Sequence, residues 1–358
     1  MTSAVAPGEF GVYVHVPFCS SKCDYCAFAT WTDRAHLVDA YMATMETEIA
    51  RAVDGGMPVA TSVFVGGGTP SLVPGELLAG VISAISVTPD AEITVECNPD
   101  NVDETLLATY CDAGVNRVSI GVQSMVPDVL ALLGRRHDPE NVHRAVAAVR
   151  SVGLPTFNLD VIYGTVGERR DDWQATVEAV VALDPPHVSA YGLTVEAGTP
   201  LAADSARHPD DDDQADKYEL ADDHFAAAGL ANYEVSNWSR AGHESRHNRV
   251  YWNQGDYRGI GCAAHSHRDG RRWWNVRTPD RYIELVGRGD DVEAAGEQLD
   301  DEQRRMEALQ LALRTREGVP IDALDGAELD GLVECRDDRW VLTRRGRLLA
   351  NEVSVRLR

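Results

Sequence analysis

Cys19, Cys23 and Cys26 stand at C-x3-C-x2-C spacing in a short loop that follows the apolar run 11–16. Three thiolates from one loop can surround a single metal centre. A mononuclear zinc site calls for a fourth thiolate or imidazole, whereas a [4Fe–4S] cluster held by three cysteines leaves one iron open to a ligand. The spacing therefore predicts a cluster loop with Cys19, Cys23 and Cys26 as metal ligands. The competing readings are a zinc knuckle completed by His15 or a distant cysteine, and three structural thiols.

This spacing resembles that of the radical S-adenosylmethionine (SAM) superfamily. The resemblance implies that the open iron chelates the amino and carboxylate groups of SAM. An electron from the cluster then cleaves SAM to a 5′-deoxyadenosyl radical, with the protein supplying orientation and shielding.

Such a loop needs a scaffold. Six β-like runs, at 11–16, 61–65, 92–97, 117–122, 156–162 and 187–193, alternate with amphipathic stretches at 37–53, 74–85, 103–112, 127–133 with 139–152, and 171–183. Alternation of this kind predicts βαβ units around a parallel sheet. Six units are two short of a full barrel, so the expected fold is α/β, a partial and partly open (β/α)6 TIM-like barrel. Beyond it a helix is expected at 210–228. A small, mostly helical, winged-helix-like C-terminal domain is expected from helices at 300–315 and 327–335, a strand at 340–343 and a helix at 344–353. The expected division is 1–235 for the core, 236–298 for a linking segment and 299–358 for the small domain.

The remaining polar signatures fall at the C-terminal ends of the runs, where parallel α/β folds build their sites. Gly66-Gly67-Gly68-Thr69 ends the second run, and backbone without Cβ atoms can approach a ligand closely. Glu96 ends the third, Gln123 the fourth and Asp160 the fifth, with Arg135 twelve residues beyond Gln123. Carboxylates, an amide and a guanidinium can satisfy a ligand's amino, hydroxyl and carboxylate groups. Taken one at a time, each is more often structural; their shared position on successive strand ends favours a site.

Together, YVHVPFCSSKCDYCAF, FVGGGTPS, VECNP, VSIGVQS, LLGRRH, LDVIYG and YGLTVEAGTPL resemble the oxygen-independent coproporphyrinogen III oxidase group of radical SAM proteins, from Tyr13 to about Trp274. The resemblance implies a [4Fe–4S] cluster on Cys19, Cys23 and Cys26. It also implies SAM surrounded by Tyr13, Gly67, Gly68, Thr69, Glu96, Gln123, Arg135 and Asp160, with Tyr25 by the adenine.

That group holds true dehydrogenases and a heme-chaperone branch. The dehydrogenases continue their motif with a fourth cysteine where this chain has Phe28, and they carry a longer N-terminal segment. Both differences point to the chaperone branch, without coproporphyrinogen III oxidase activity. His247-Asn248-Arg249-Val250-Tyr251-Trp252 resembles the HNxxYW signature that this branch uses for heme. Imidazole is a natural axial ligand and aromatic rings can cover a porphyrin. His247 is accordingly the expected heme ligand, with His243, His265 and His267 as rivals. Two departures are noted: 164–168 lacks the usual leucine and proline, and Cys262 and Ala263 interrupt a glycine-rich segment.

Composition narrows the rest. With 57 Asp and Glu against 33 Lys and Arg the net charge is −24, which disfavours nucleic acid and leaves at most peripheral membrane contact. Much of the excess, such as 210–213, reads as a solvated face. Seven cysteines, scattered beyond the motif, suit a reducing compartment, and neither a membrane span nor a signal peptide is legible. A cytoplasmic location is expected. The expected function is a heme chaperone that passes heme to acceptor hemoproteins such as respiratory heme proteins or bacterioferritin. A coproporphyrinogen III dehydrogenase is the alternative, followed by a radical SAM enzyme of unrelated substrate. Covalent and non-covalent heme attachment both fit the sequence.

Overall fold

Apolar runs buried along most of their length build the architecture. In β1 (Phe10–Val16), Val12, Val14 and Val16 are fully buried. With a period of two, Gly11, Tyr13 and His15 turn to the opposite face. The structure, a computed structural model, describes residues 8–358; the expectations for residues 1–7 lie outside the described residues.

The βα units follow in order: β1, α1 (Val38–Asp54), β2 (Ala60–Gly67), α2 (Gly75–Ser83), β3 (Val87–Cys97), α3 (Glu104–Asp112), β4 (Arg117–Gln123), α4 (Pro127–Leu132), α5 (Pro139–Ser151), β5 (Thr156–Tyr163), α6 (Arg170–Ala182) and β6 (His187–Gly192). Strands β1 to β6 are parallel neighbours in that sequence. Aspartates start several helices: Asp103 caps α3 and Asp138 caps α5 by accepting backbone N–H groups. Asp210 likewise caps α7 (Asp211–Ala227), while Asp213 pairs with Lys217 at 2.7 Å. The acidic run 210–213 is thus partly a helix start rather than only a solvated face.

The sheet continues past the six units. β7 (Ala231–Glu234) and β8 (Asn237–Ser239) extend one edge beyond β6. After α8 (Arg246–Trp252), β9 (Asp256–Ile260) pairs in parallel with β1. Beyond it lie β10 (His265–Arg268), β11 (Arg271–Asn275) and, after α9 (Pro279–Arg288), β12 (Glu293–Gln298), all antiparallel. Among the described residues twelve strands therefore form one sheet; β9 to β12 of segment 236–298 supply the flank beyond β1, while its β8 lies at the other edge.

The tail has its own small core around Leu309, Leu313, Val319, Leu329 and Val353. It comprises α10 (Asp301–Leu313), a three-stranded antiparallel sheet of β13 (Val319–Pro320), β14 (Val333–Arg336) and β15 (Arg339–Leu342), and the short α11 (Arg344–Leu348) and α12 (Ala350–Ser354). The helix expected at 327–335 is not there; a 3-10 turn at Gly326–Leu329 gives way to β14. Gly331 at φ 76° ends the helical geometry, and Asp337 and Asp338, at φ 49° and 58°, make the tight turn that pairs β14 with β15. The helix expected at 344–353 breaks in two at Leu349.

Candidate functional site

The loop after β1 carries the three cysteines, all free and partly exposed. Its ends are fixed by Cys19 N–H donating to the Trp31 carbonyl at 3.1 Å and Trp31 N–H donating to Pro17 at 2.8 Å. His15 holds the loop from below: Nδ1 is 3.0 Å from Tyr13 Oη and Nε2 is 2.9 Å from the Ala29 carbonyl. Both imidazole nitrogens are thereby used, so His15 is not a fourth zinc ligand. Among the described residues no three His, Cys, Asp or Glu side chains converge on one ion. The three thiols lie on one loop within electrostatic reach of one another, and burial raises the pKa values of Cys19 and Cys26. Thr69 Oγ1 donates to Cys19 Sγ and Arg135 Nη1 to Cys23 Sγ, both at 3.7 Å. A soft, all-sulfur donor set with hydrogen bonds to the sulfurs fits an iron–sulfur cluster.

The glycine run has a steric explanation. A Cβ on Gly66 would lie 2.9 Å from Glu96 Oε2, one on Gly67 2.5 Å from His15 Nδ1, and one on Gly68 2.6 Å from the Phe18 carbonyl. Gly67 also sits at φ 111°. Only glycine lets the end of β2 press against the cysteine loop, where Gly68 and Thr69 donate backbone N–H groups to Val16 and Phe18 at 2.7 and 2.8 Å.

The strand-end side chains converge on one interior. Tyr13, Glu96, Gln123, Arg135 and Asp160 are all partly exposed. Gln123 takes φ 63°, and a Cβ on Gly121 would lie 2.9 Å from Gln123 Nε2 and 3.4 Å from Arg135 Nη2. Arg135 Nη2 also donates to the Gly121 carbonyl at 3.1 Å. Asp160 accepts from Ser119 Oγ at 2.8 Å and Asn158 Nδ2 at 2.7 Å. Burial raises its pKa against those hydrogen bonds. Glu96 is pushed up to about 8, first by burial and then by the Asp160 charge. Burial disfavours the charged form of both carboxylates, so both gain from a cationic ligand. Tyr25 lies apart, in an apolar cleft of about 220 Å³ with Leu132, Leu133, Leu193 and Leu201.

His247 is not brought to this interior as an open ligand. It is fully buried, with Nδ1 3.0 Å from Ser62 Oγ and Nε2 2.8 Å from Tyr251 Oη. Phe64 stacks on it at 5.5 Å, and a Cβ on Gly11 would come within 3.1 Å of its ring. Helix α8 thus plugs the starting ends of β1 and β2. One turn later Tyr251 stands on the same helix face and reaches a cavity of about 730 Å³. Its walls are Tyr13, His15 and Phe28 on the cluster side and Tyr257, His265 and Trp274 on the other. Sequence reasoning missed His15 as the clamp of the cysteine loop. It also missed the Ser119, Asn158 and Ser189 ladder, whose serines and asparagine carry no signal until the strands are in register.

A parallel α/β sheet with C-x3-C-x2-C after its first strand and a glycine-rich second strand end defines a radical SAM protein, and residues 13–180 match the Radical SAM superfamily. The fold superposes on coproporphyrinogen III oxidase (HemN) from Escherichia coli with a TM-score of 0.83, covering 99% of this chain and 91% of that one. At 21% identity that likeness concerns the fold alone. The heme chaperone HemW of Mycobacterium tuberculosis is 43% identical over 98% of this chain and 95% of its own length. Proteins of the same name from Escherichia coli and Bacillus subtilis are 36% and 31% identical, covering 96% and 95% of this chain and 96% and 97% of themselves. The chain belongs to the heme chaperone HemW family.

Among the described residues no helix is long and apolar enough to cross a membrane.

Proposed function

We propose that this chain binds heme in the cavity beside its cysteine loop and hands it to acceptor hemoproteins, respiratory heme proteins or bacterioferritin among them. The observation that carries the reading is the cavity itself. At about 730 Å³ it falls in the range of small-molecule sites, and it offers aromatic faces from both walls. Phe28, 67% exposed at its mouth, presents an apolar ring beside the thiols.

In this reading Cys19, Cys23 and Cys26 would hold a [4Fe–4S] cluster, which would supply the reducing electron for SAM chemistry. Glu96 and Asp160 receive the cationic end of SAM, Arg135 and Gln123 its carboxylate and hydroxyls, and Gly67, Gly68 and Thr69 offer backbone to it. Tyr13 separates SAM from heme, and Tyr25 packs by the adenine. His247 supports the heme side through Tyr251. The labour divides into a radical SAM core over 1–235, a heme-side wall over 236–298 and a capping domain over 299–358. The location is cytoplasmic and nucleic acid is not a partner.

The test is anaerobic. The cluster is reconstituted, SAM and reductant are added, and coproporphyrinogen III is followed by product mass alongside a heme titration. Saturable heme binding, transfer to an apo-hemoprotein and no decarboxylation are expected. Efficient decarboxylation would make the chain a dehydrogenase.

A further inference from the structure

The geometry points to His265, at the start of β10, as the side chain that ligates heme iron, with Arg277 meeting a heme carboxylate. This assignment rests on the heme-chaperone reading and replaces the motif histidine as the ligand. The four candidate histidines are distinguished by what their nitrogens already do.

His247 is sealed beneath β1 and β2 with both nitrogens engaged. His267 is buried too: Nδ1 meets the Gly255 carbonyl at 2.9 Å and Nε2 accepts from Gly270 N–H at 3.2 Å. His243 bonds Thr156 Oγ1 at 2.9 Å, at the first residue of β5. That is the end of the sheet opposite to the cysteine loop, because β1 to β6 are parallel and the loop leaves β1 at its finish.

His265 differs on every count. It is exposed, lines the cavity, and its ring nitrogens make no hydrogen bond among the described residues. The cross-strand partner Trp274 holds its ring at 5.6 Å and an interplanar angle of 28°. It shares that cavity with His15, the clamp of the cluster loop. An imidazole fixed by stacking, with unengaged nitrogens at an aromatic cavity, is what axial ligation requires.

The second part of the assignment concerns charge. Heme bears two carboxylates, while the chain as a whole carries −24. Arg277 lines the same cavity, is exposed, and has no ion-pair or hydrogen-bond partner among the described residues. A guanidinium without a protein carboxylate is available to a ligand carboxylate.

Ferric heme is titrated into the full-length chain and followed by its Soret band and electron paramagnetic resonance. In His265→Ala the band shift of the wild type is lost and Kd rises about tenfold or more, and added imidazole restores the band. His243→Gln, at the opposite end of the sheet, keeps the wild-type band position. Arg277→Ala keeps the band but raises Kd about three- to tenfold, the size of one lost charge-assisted hydrogen bond at an exposed site. Circular dichroism and urea midpoints equal to wild type certify the folds, since both residues are exposed. An unchanged spectrum and Kd in His265→Ala overturns the assignment while leaving heme binding intact. Absence of saturable binding to the wild-type chain overturns the chaperone reading and the assignment with it.

Discussion

Gly67 donates its backbone amide to Glu96 Oε2 at 3.2 Å, tying the finishing ends of β2 and β3 together at the mouth of the cysteine loop. Burial and Asp160 hold that carboxyl at about 8, against an ordinary 4.5. The folded chain therefore keeps a proton that the unfolded chain has released, so Glu96 makes stability fall as pH rises from about 4.5 to about 8. A cationic ligand reverses the preference. Binding of SAM to the cluster-loaded chain at pH 7 should release a proton, read by calorimetry in buffers of different ionisation enthalpy. Glu96→Gln should abolish the release. Equal heats after buffer correction in both proteins would show that Glu96 does not face SAM.

The cluster assignment is testable by composition. Reconstituted wild type should carry about four irons and four sulfides per chain. Cys19→Ala, Cys23→Ala and Cys26→Ala should each lose the visible iron–sulfur absorption. Cys97→Ala and Cys262→Ala, both buried outside the cysteine loop's own sequence, should keep it. Full iron content in any of the first three would remove that residue from the ligand set.

Arg135 serves Cys23 Sγ with one nitrogen and the Gly121 carbonyl with the other. A lysine cannot make both bonds. Arg135→Lys should assemble a cluster yet weaken SAM binding about tenfold or more, in line with loss of a charge-assisted hydrogen bond. Equilibrium dialysis with labelled SAM measures this, and an unchanged affinity would confine Arg135 to the cluster.

His247→Ala should act on stability rather than on the heme spectrum. It empties a packed site under β1 and strands Ser62 Oγ and Tyr251 Oη. A loss of about 2–4 kcal/mol is expected from urea unfolding. The neutral state adds a pH signature. Burial holds His247 down at about 3, so its contribution is present above about 6.5 and is lost as pH falls toward 3.

Lys217 lies fully buried between the Glu168 carboxylate at 3.0 Å and Asp213 at 2.7 Å, and Glu168 accepts from Gly164 N–H at 2.8 Å. The unusual 164–168 loop is thereby pinned to α7. Lys217→Met should cost about 3–5 kcal/mol by leaving Glu168 unpaired. The double variant Lys217→Met with Glu168→Gln should recover much of it, which chemical denaturation will read.

What the sequence determined by itself is what short-range patterning encodes. Apolar runs alternating with amphipathic stretches placed β1 to β6 and α1 to α6 within a few residues, because strand and helix geometry repeat locally. The cysteine loop was legible for the same reason: its ligands come from one stretch of chain. The hairpin of β14 and β15 was not, since helix-forming residues there yield to cross-strand pairing that no local period announces. The site shows the same divide. His247 stands out in sequence because it sits in a motif, yet the packing of α8 under Gly11 and Ser62 buries it. His265 is one of three rivals in sequence and becomes the open imidazole only once β10 pairs with β11 and places it in the cavity beside the cluster loop. Whether a nitrogen is free is decided by which distant groups reach it, and that only the tertiary structure fixes.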